Sequence, residues 1–355
     1  MAKKFRRIGV LTSGGDAPGM NAAIRSVTRT AINHGVEVVG IYKGYRGLID
    51  GELKVFSMRD VSNIVNEGGT MLYSDRCLEF KTPEGMAKAL ETCKKYEIDG
   101  IVCIGGDGTF RGAIDLTRHG IPTVAIPGTI DNDVTSTDYT IGFDTAVNTT
   151  VEMVDRLRDT CESHARCNVV EVMGRDCGDI ALYAGIATGA TEILIPEIAF
   201  DEEKIIERMI RHRAAGRRNF IIMASEGIGS DYCEKLTNRI EDATGISTRF
   251  ARLAHVVRGG TPSFRDRFLG ARMGVRAVEE LLAGNSNLVI CEINDRVTSL
   301  DIEFALSLDH MYKGKLKDGE LDKFSPEEIE LMKEKCERAR TKVETLYHMA
   351  ESISR

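Results

Sequence analysis

At 355 residues the chain is too long for one small domain, and two domains are the expectation. A hydrophobic share of 42% and a charged share of 28% are those of a soluble globular protein, and a net charge of −7 argues against a nucleic-acid binder driven by overall positive charge. The nine cysteines are odd in number and form no Cys-x-x-Cys pair, so reduced, mostly buried thiols are expected rather than a zinc site or a disulfide framework.

Along the chain, the segment from Met1 to Arg7 leads directly into an apolar run with no signal peptide, and no apolar stretch approaches 18 residues. A cytoplasmic protein away from the membrane is expected. Short runs rich in Val and Ile recur at 6–12, 36–42, 100–105, 122–126, 167–173, 191–196, 218–224 and 287–293. They are apolar nearly throughout, as strands buried on both faces should be. Amphipathic stretches at 18–34, 83–97, 109–119, 143–161, 178–189, 202–215, 233–244 and 269–284 read as helices. Pro18 suits a first helical turn and Gly35 a helix end. This alternation predicts an α/β protein with mainly parallel sheets. The polar stretch around Asp131–Asp138 suggests a boundary near residue 140. In the tail, Ser325-Pro326-Glu-Glu reads as N-cap, N1 proline and acidic first turn. Ile329, Met332, Cys336, Val343, Leu346 and Met349 then recur near a helical period, which predicts a docked amphipathic helix.

Three polar glycine turns follow apolar runs. They are Ser13-Gly-Gly-Asp-Ala-Pro-Gly-Met-Asn21, Gly105-Gly-Asp-Gly-Thr109 and Pro127-Gly-Thr-Ile-Asp-Asn-Asp133. Turns at strand ends suggest a site facing the carboxyl edge of a sheet. Gly14 and Gly15 let backbone N–H groups approach a polyphosphate, with the next helix pointing its positive end the same way. Asp107 can meet a phosphate-bound Mg²⁺, and Thr109 would open the following helix. Phosphoryl transfer also needs a base for the accepting hydroxyl. Asp131 can be that base, and Thr129 can orient it or the acceptor. Asp133 could assist or hold the loop. In the second half, Arg175 would project from a strand's carboxyl end. His255 and Arg258 lie within one loop's reach, and arginine pairs two phosphate oxygens with its planar fork. Glu226 could accept hydrogen bonds from sugar hydroxyls.

These motifs, with Ile8-Gly-Val-Leu-Thr-Ser13 leading the first, Glu171-Val-Met-Gly-Arg175 and His255-x-x-Arg-Gly-Gly260, resemble bacterial 6-phosphofructokinases in order and spacing through about residue 320. The resemblance implies transfer of the ATP γ-phosphate to the C1 hydroxyl of fructose 6-phosphate, with Mg²⁺, by a homotetramer whose sites borrow residues across an interface. It implies two three-layer α/β domains plus a C-terminal helix. An ATP/Mg-binding domain would take 1–140 with about 256–306, and a sugar-phosphate domain 141–255 with about 307–323. A helical extension would take 324–355. It makes Asp131 the base, Thr129 its partner and Arg175 the group that meets the charge on the moving phosphoryl. The ATP site would hold Gly15, Tyr45, Arg76, Cys77, Gly106, Asp107, Gly108 and Thr109, with Asp107 on the metal. The sugar-phosphate site would hold Thr129, Ile130, Asp131, Met173, Gly174, Arg175, Glu226, His255, Val256, Val257 and Arg258. Arg166 and Arg249 would reach in from a neighbouring subunit.

Relatives that use pyrophosphate usually carry Asp at the place of Gly108 and Lys at that of Gly128, where a side chain would crowd the nucleotide. Two glycines favour ATP. The alternatives weighed are a pyrophosphate-dependent enzyme, a non-catalytic regulatory subunit of the same fold, and an NAD kinase. The last leaves the sites around Met173–Arg175 and His255–Arg258 unexplained. Tyr73 and Asp75 depart from the small residues common before Arg76. The effector pocket implied by resemblance keeps Arg25, Arg29, Arg158, Arg217 and Arg218. Met58 replaces a usual Arg, Thr191 a Glu and Ala215 a basic residue, so an altered or weakened effector response is expected. The tail could pack on that surface.

Overall fold

The computed structural model describes residues 5–354, so the leader reading of Met1–Lys4 lies outside the described residues. In chain order the elements are β1 (Arg7–Ser13), α1 (Met20–Asn33), β2 (Glu37–Ile41), α2 (Tyr45–Asp50), β3 (Leu53–Phe56), α3 (Pro83–Lys95), β4 (Gly100–Gly105), α4 (Asp107–Arg118) and β5 (Thr123–Thr129). There follow β6 (Ile141–Gly142), α5 (Phe143–His164), β7 (Cys167–Val172), α6 (Asp179–Thr188), β8 (Glu192–Leu194), α7 (Glu202–Ala214), β9 (Phe220–Ser225) and α8 (Tyr232–Thr244). The chain continues with β10 (Thr248–Arg252), α9 (Phe264–Leu282), β11 (Leu288–Ile293), β12 (Arg296–Asp301), α10 (Ile302–Tyr312) and α11 (Pro326–Ser354).

The chain forms two units. The first comprises residues up to Ile130, Val134–Thr145 and Arg258–Cys336; the second comprises Asp131–Asp133, Ala146–Val257 and the rest of the tail. The first unit carries a sheet in the order β12-β11-β5-β4-β1-β2-β3, with β6 added to the end of β5. Its centre is parallel, and only the outer pairs β11–β12 and β2–β3 are antiparallel. Side chains alternate between the faces of a strand. Leu11, Ile101, Cys103 and Ala125 therefore pack with Leu48, Met86, Phe110 and Ala305 of the helices on one side. The opposite side belongs to α1 and α9, which approach closely because Gly270 and Gly274 carry no Cβ. A methyl at Gly274 would lie 2.7 Å from the Ser26 Cβ. The second unit has a parallel sheet in the order β10-β7-β9-β8. Val169, Phe220 and Ile222 meet Ile205, Met209 and Ile240 on one face, and α6 lies on the other.

All eight expected strands and all eight expected helices are present. Pro18 lies outside its helix, however: α1 starts at Met20 after Gly19, which holds φ 106°. Gly35 does end that helix in the left-handed conformation. The tail helix is capped as its sequence predicts. The Ser325 Oγ accepts from Glu328 N, and the Glu328 carboxylate accepts from Ser325 N, a reciprocal capping box. Met332, Cys336 and Val343 are buried; Met349 is exposed, and Ala350 takes the inward position in its place. All nine cysteines are free thiols, seven of them buried.

Candidate active site

The first unit brings the glycine turns after β1 and β4 side by side, because β1 and β4 are neighbours in register from Ile8↔Gly100 to Ser13↔Gly105. Gly105 is needed there: a Cβ would stand 2.3 Å from both the Ser13 carbonyl and Thr109 Oγ1. Thr109 Oγ1 donates to the Ser13 carbonyl at 2.9 Å, so Thr109 ties the two turns together. It does not open the helix as expected. That helix, α4, begins at Asp107, which places the Asp107 carboxylate in the first turn 3.0 Å from Arg111.

A pocket of about 380 Å³ is lined by Gly14, Gly15, Asp16, Thr70, Tyr73, Ser74, Arg76 and Arg258. Gly14 holds φ 87°, and a Cβ on Gly15 would meet the Arg258 guanidinium at 2.6 Å. Arg258, expected at the sugar phosphate, thus stands over the first glycine turn. Tyr73 sits in the left-handed region at φ 58° and is 63% exposed, and its carbonyl accepts from Thr12 Oγ1. The Ser74 hydroxyl donates to the Gly14 carbonyl. Thr70 and Ser74 were not singled out in the sequence; the Gly68-Gly69 pair before Thr70 was the available signal.

Tyr45, expected beside the nucleotide, is buried, stacks on Phe80 at 4.2 Å and donates to the Thr109 carbonyl at 2.6 Å. It supports the turn from beneath and does not line the pocket. Cys77 packs on the same hydrophobic core. The two donor-choice glycines differ. A Cβ on Gly108 meets nothing within 4 Å, whereas one on Gly128 would press on Met20 and Ile104 at 3.0 and 3.1 Å. Gly108 faces open space, whereas a side chain at Gly128 would first require Met20 and Ile104 to give way by a few tenths of an ångström.

The second unit carries the expected base. Asp131 is buried, and its Oδ2 lies 3.2 Å from Arg175 Nε. Arg175 follows β7 in a turn where Gly174 and Arg175 hold φ 144° and 53°. Both their N–H groups donate to Glu226 Oε1, at 3.2 and 3.0 Å. Glu226 therefore shapes the turn that aims Arg175, a role its sequence position did not reveal. Ser225 Oγ donates to the Cys177 carbonyl from the end of β9. Asn132 donates to Asp179 Oδ2 at 2.7 Å. In the adjoining strand Thr129 ends β5, its carbonyl accepting from Thr140 Oγ1. Ile130 and Val257 are buried, Met173 is half-buried, and His255 and Val256 are exposed. Arg166 is half-buried, and the Arg249 guanidinium lies 3.7 Å from Glu241.

Of the expected effector arginines, Arg25 and Arg29 lie on α1 of the first unit, where Arg29 reaches the Met58 carbonyl. In the second unit Arg158 and Arg217 both bind Asn219, and burial together with Arg158 lowers the Arg217 pKa. Arg218 stands 3.7 Å from Glu162. The end of α11 packs here. Tyr347, Ala350, Glu351 and Ser354 face Thr191, Glu192, Arg208 and His212 across about 30 Å³ of space.

A family model described as Phosphofructokinase matches residues 7–281. A Clostridium perfringens protein named ATP-dependent 6-phosphofructokinase 1 is 50% identical over 308 residues, covering 87% of this chain and 96% of that one. The chain is a member of the phosphofructokinase family. A Bacillus mycoides ATP-dependent 6-phosphofructokinase is 52% identical over 306 residues, 86% of this chain and 95% of its own length. The Saccharomyces cerevisiae phosphofructokinase structure superposes with TM-score 0.84 at 35% identity over 93% of this chain, which spans 50% of the yeast chain. Among the described residues no helix is long and apolar enough to cross a membrane.

Proposed function

We propose that the protein is an ATP-dependent 6-phosphofructokinase, acting in the cytoplasm, which transfers the γ-phosphoryl of ATP to the C1 hydroxyl of fructose 6-phosphate. The observation that carries this reading is the buried Asp131 carboxylate held 3.2 Å from Arg175, on the turn that follows the phosphate-type glycine strands. In this reading Asp131 takes the proton of the attacking hydroxyl while Thr129 orients the acceptor. Arg175 leaves Asp131 to meet the charge spreading over the moving phosphoryl. Gly15, Arg76 and Gly106–Thr109 take the ATP phosphates. Glu226 has one oxygen on the backbone of residues 174–175, and Oε2 remains to accept from the sugar. Met173, His255 and the Arg166 and Arg249 side chains of a neighbouring subunit complete the acceptor site of a homotetramer.

The donor set also fits Mg²⁺. Among the described residues no three His, Cys, Asp or Glu side chains gather as a metal cage. A single carboxylate, Asp107 at the start of α4, suits an ion that arrives on phosphate oxygens. Bound there, the ion would neutralise phosphate charge. Gly108, with open space around it, supports the nucleotide over pyrophosphate. A coupled assay with fructose 6-phosphate tests the donor: ATP supports turnover and pyrophosphate does not. Equal or faster turnover with pyrophosphate overturns the assignment.

A further inference from the structure

Asn132 follows Asp131 directly and holds a left-handed φ of 54°, a conformation that asparagine enters more readily than most side-chain-bearing residues and that a fixed partner for its amide can hold. That partner lies 47 residues away. Asn132 Nδ2 donates to Asp179 Oδ2 at 2.7 Å. Asp179 is the first residue of α6, and its place is tightly determined. The preceding Gly178 donates its N–H to Glu197 Oε1 at 2.9 Å, and a Cβ at Gly178 would lie 2.4 Å from that of Ile195. The segment between is tied as well, with Cys177 N bonded to the Gly174 carbonyl and Ser225 Oγ to the Cys177 carbonyl. One short stretch, 174–179, therefore grips two consecutive residues of the catalytic turn. Arg175 meets Asp131, and Asp179 holds Asn132.

We propose that Asp179 is a positioning residue for phosphoryl transfer, fixing through Asn132 the turn that carries Asp131. It reaches the base only through its neighbour. Without this hold the backbone of residue 132 can shift and carry the Asp131 carboxylate off its aim at an acceptor hydroxyl, while the binding groups stay in place. The C-terminal helix bears on the same point. Lys342 of α11 lies 5.7 Å over the ring of Tyr183, one turn along α6 from Asp179, and its charge favours the ionised, accepting form of Asp179 against the burial that opposes it.

The inference rests on Asp131 being the base, and the experiment separates the two. Asp179→Ala, Asp179→Asn, Asn132→Ala and the Asp179→Ala/Asn132→Ala double variant are compared with Asp131→Asn in the full-length enzyme. The readouts are kcat, both KM values and the melting temperature. Asp179→Ala lowers kcat by about 10- to 100-fold at unchanged KM for ATP, the range of a misaimed catalytic group. Asp179→Asn, whose amide oxygen still accepts from Asn132, recovers to within about threefold of the parent, and the double variant is no worse than the poorer single one, as expected for partners in one contact. Parental kcat in Asp179→Ala, or additive losses in the double variant, overturns the role. If Asp179→Ala melts without a cooperative transition, Asn132→Ala carries the test: it must lose kcat at a parental melting temperature, and parental kcat there also overturns the role. An inactive Asp131→Asn beside a fully active Asp179→Ala removes only the positioning role; a fully active Asp131→Asn removes the base assignment beneath it.

Discussion

Asp131 is 1% exposed, and a carboxylate so buried keeps its charge only beside a cation or strong donors. Arg175 supplies the cation while remaining half in solvent, with its side chain 54% exposed. That asymmetry makes a clean substitution possible. Asp131→Asn removes the base without stranding a buried charge, because Arg175 can turn to water. Ligand binding should therefore persist while kcat falls roughly 10²- to 10⁴-fold, the usual worth of general-base assistance. Binding measured by calorimetry beside steady-state rates checks this, and near-parental kcat removes Asp131 from the role. Asp107, Asp131 and Arg175 were legible in the sequence because each follows an apolar strand in a polar turn. The hold of Asp179 on Asn132 and of Glu226 on the 174–175 backbone was not. Those contacts join residues 47 and more than 50 positions apart, and no local pattern encodes them.

Most elements with continuous apolar character were legible for the same reason, though the buried apolar helix Ile302–Tyr312 was missed; the other missed elements are shorter or less apolar. Leu53–Phe56, Thr248–Arg252 and Arg296–Asp301 are edge strands whose residues are largely half-buried or exposed, so they lack the apolar run of a central strand. Tyr45–Asp50 is too short for a helical period to register, and Ile141–Gly142 is two residues long. The α9 helix starts at Phe264, five residues before the expected 269, because Ser263 caps it by accepting from Asp266 N. Asp266 in turn fastens three elements. It accepts from Gly142 N of β6 and from the N–H and hydroxyl of Thr145 in α5. Burial outweighs these three donors and pushes its carboxyl up to about 6 from an ordinary 3.8. An acid raised in the folded state binds its proton more tightly there than when unfolded. Its stabilising effect is complete below about pH 3.8 and is lost as pH rises through about 6. Linkage puts this loss at up to about 3 kcal/mol. Chemical denaturation from pH 4 to 7 should show the decline, and Asp266→Asn should flatten it. An unchanged slope in the variant excludes Asp266 as its source.

At the scale of the whole chain, the tail helix extends beyond the stretch shared with the bacterial relatives, and its last turn packs beside Thr191 and Arg217, two of the positions that the resemblance links with an anionic effector. Ser354 Oγ donates to the Ala190 carbonyl at 2.8 Å, and the Ser354 carbonyl accepts from Arg217 at 3.3 Å. The space left between the tail and Thr191, Glu192, Arg208 and His212 is about 30 Å³, room for about one water. The Glu replaced at Thr191 is not made good by its neighbour. Thr191 is buried with its hydroxyl on Ile221 N, and Glu192 is committed to Arg208 through both oxygens at 2.7 and 2.6 Å. Met58 and Ala215 supply no charge. Each missing charge-assisted contact costs on the order of 1.5–3 kcal/mol, roughly ten- to a hundredfold in affinity. ADP and phosphoenolpyruvate at millimolar concentration should therefore shift the fructose 6-phosphate saturation curve weakly or not at all. Titration of each at subsaturating fructose 6-phosphate decides the matter. A strong sigmoidal shift at micromolar effector would mean that the tail yields this surface and that Glu192 leaves Arg208 to take the effector's metal.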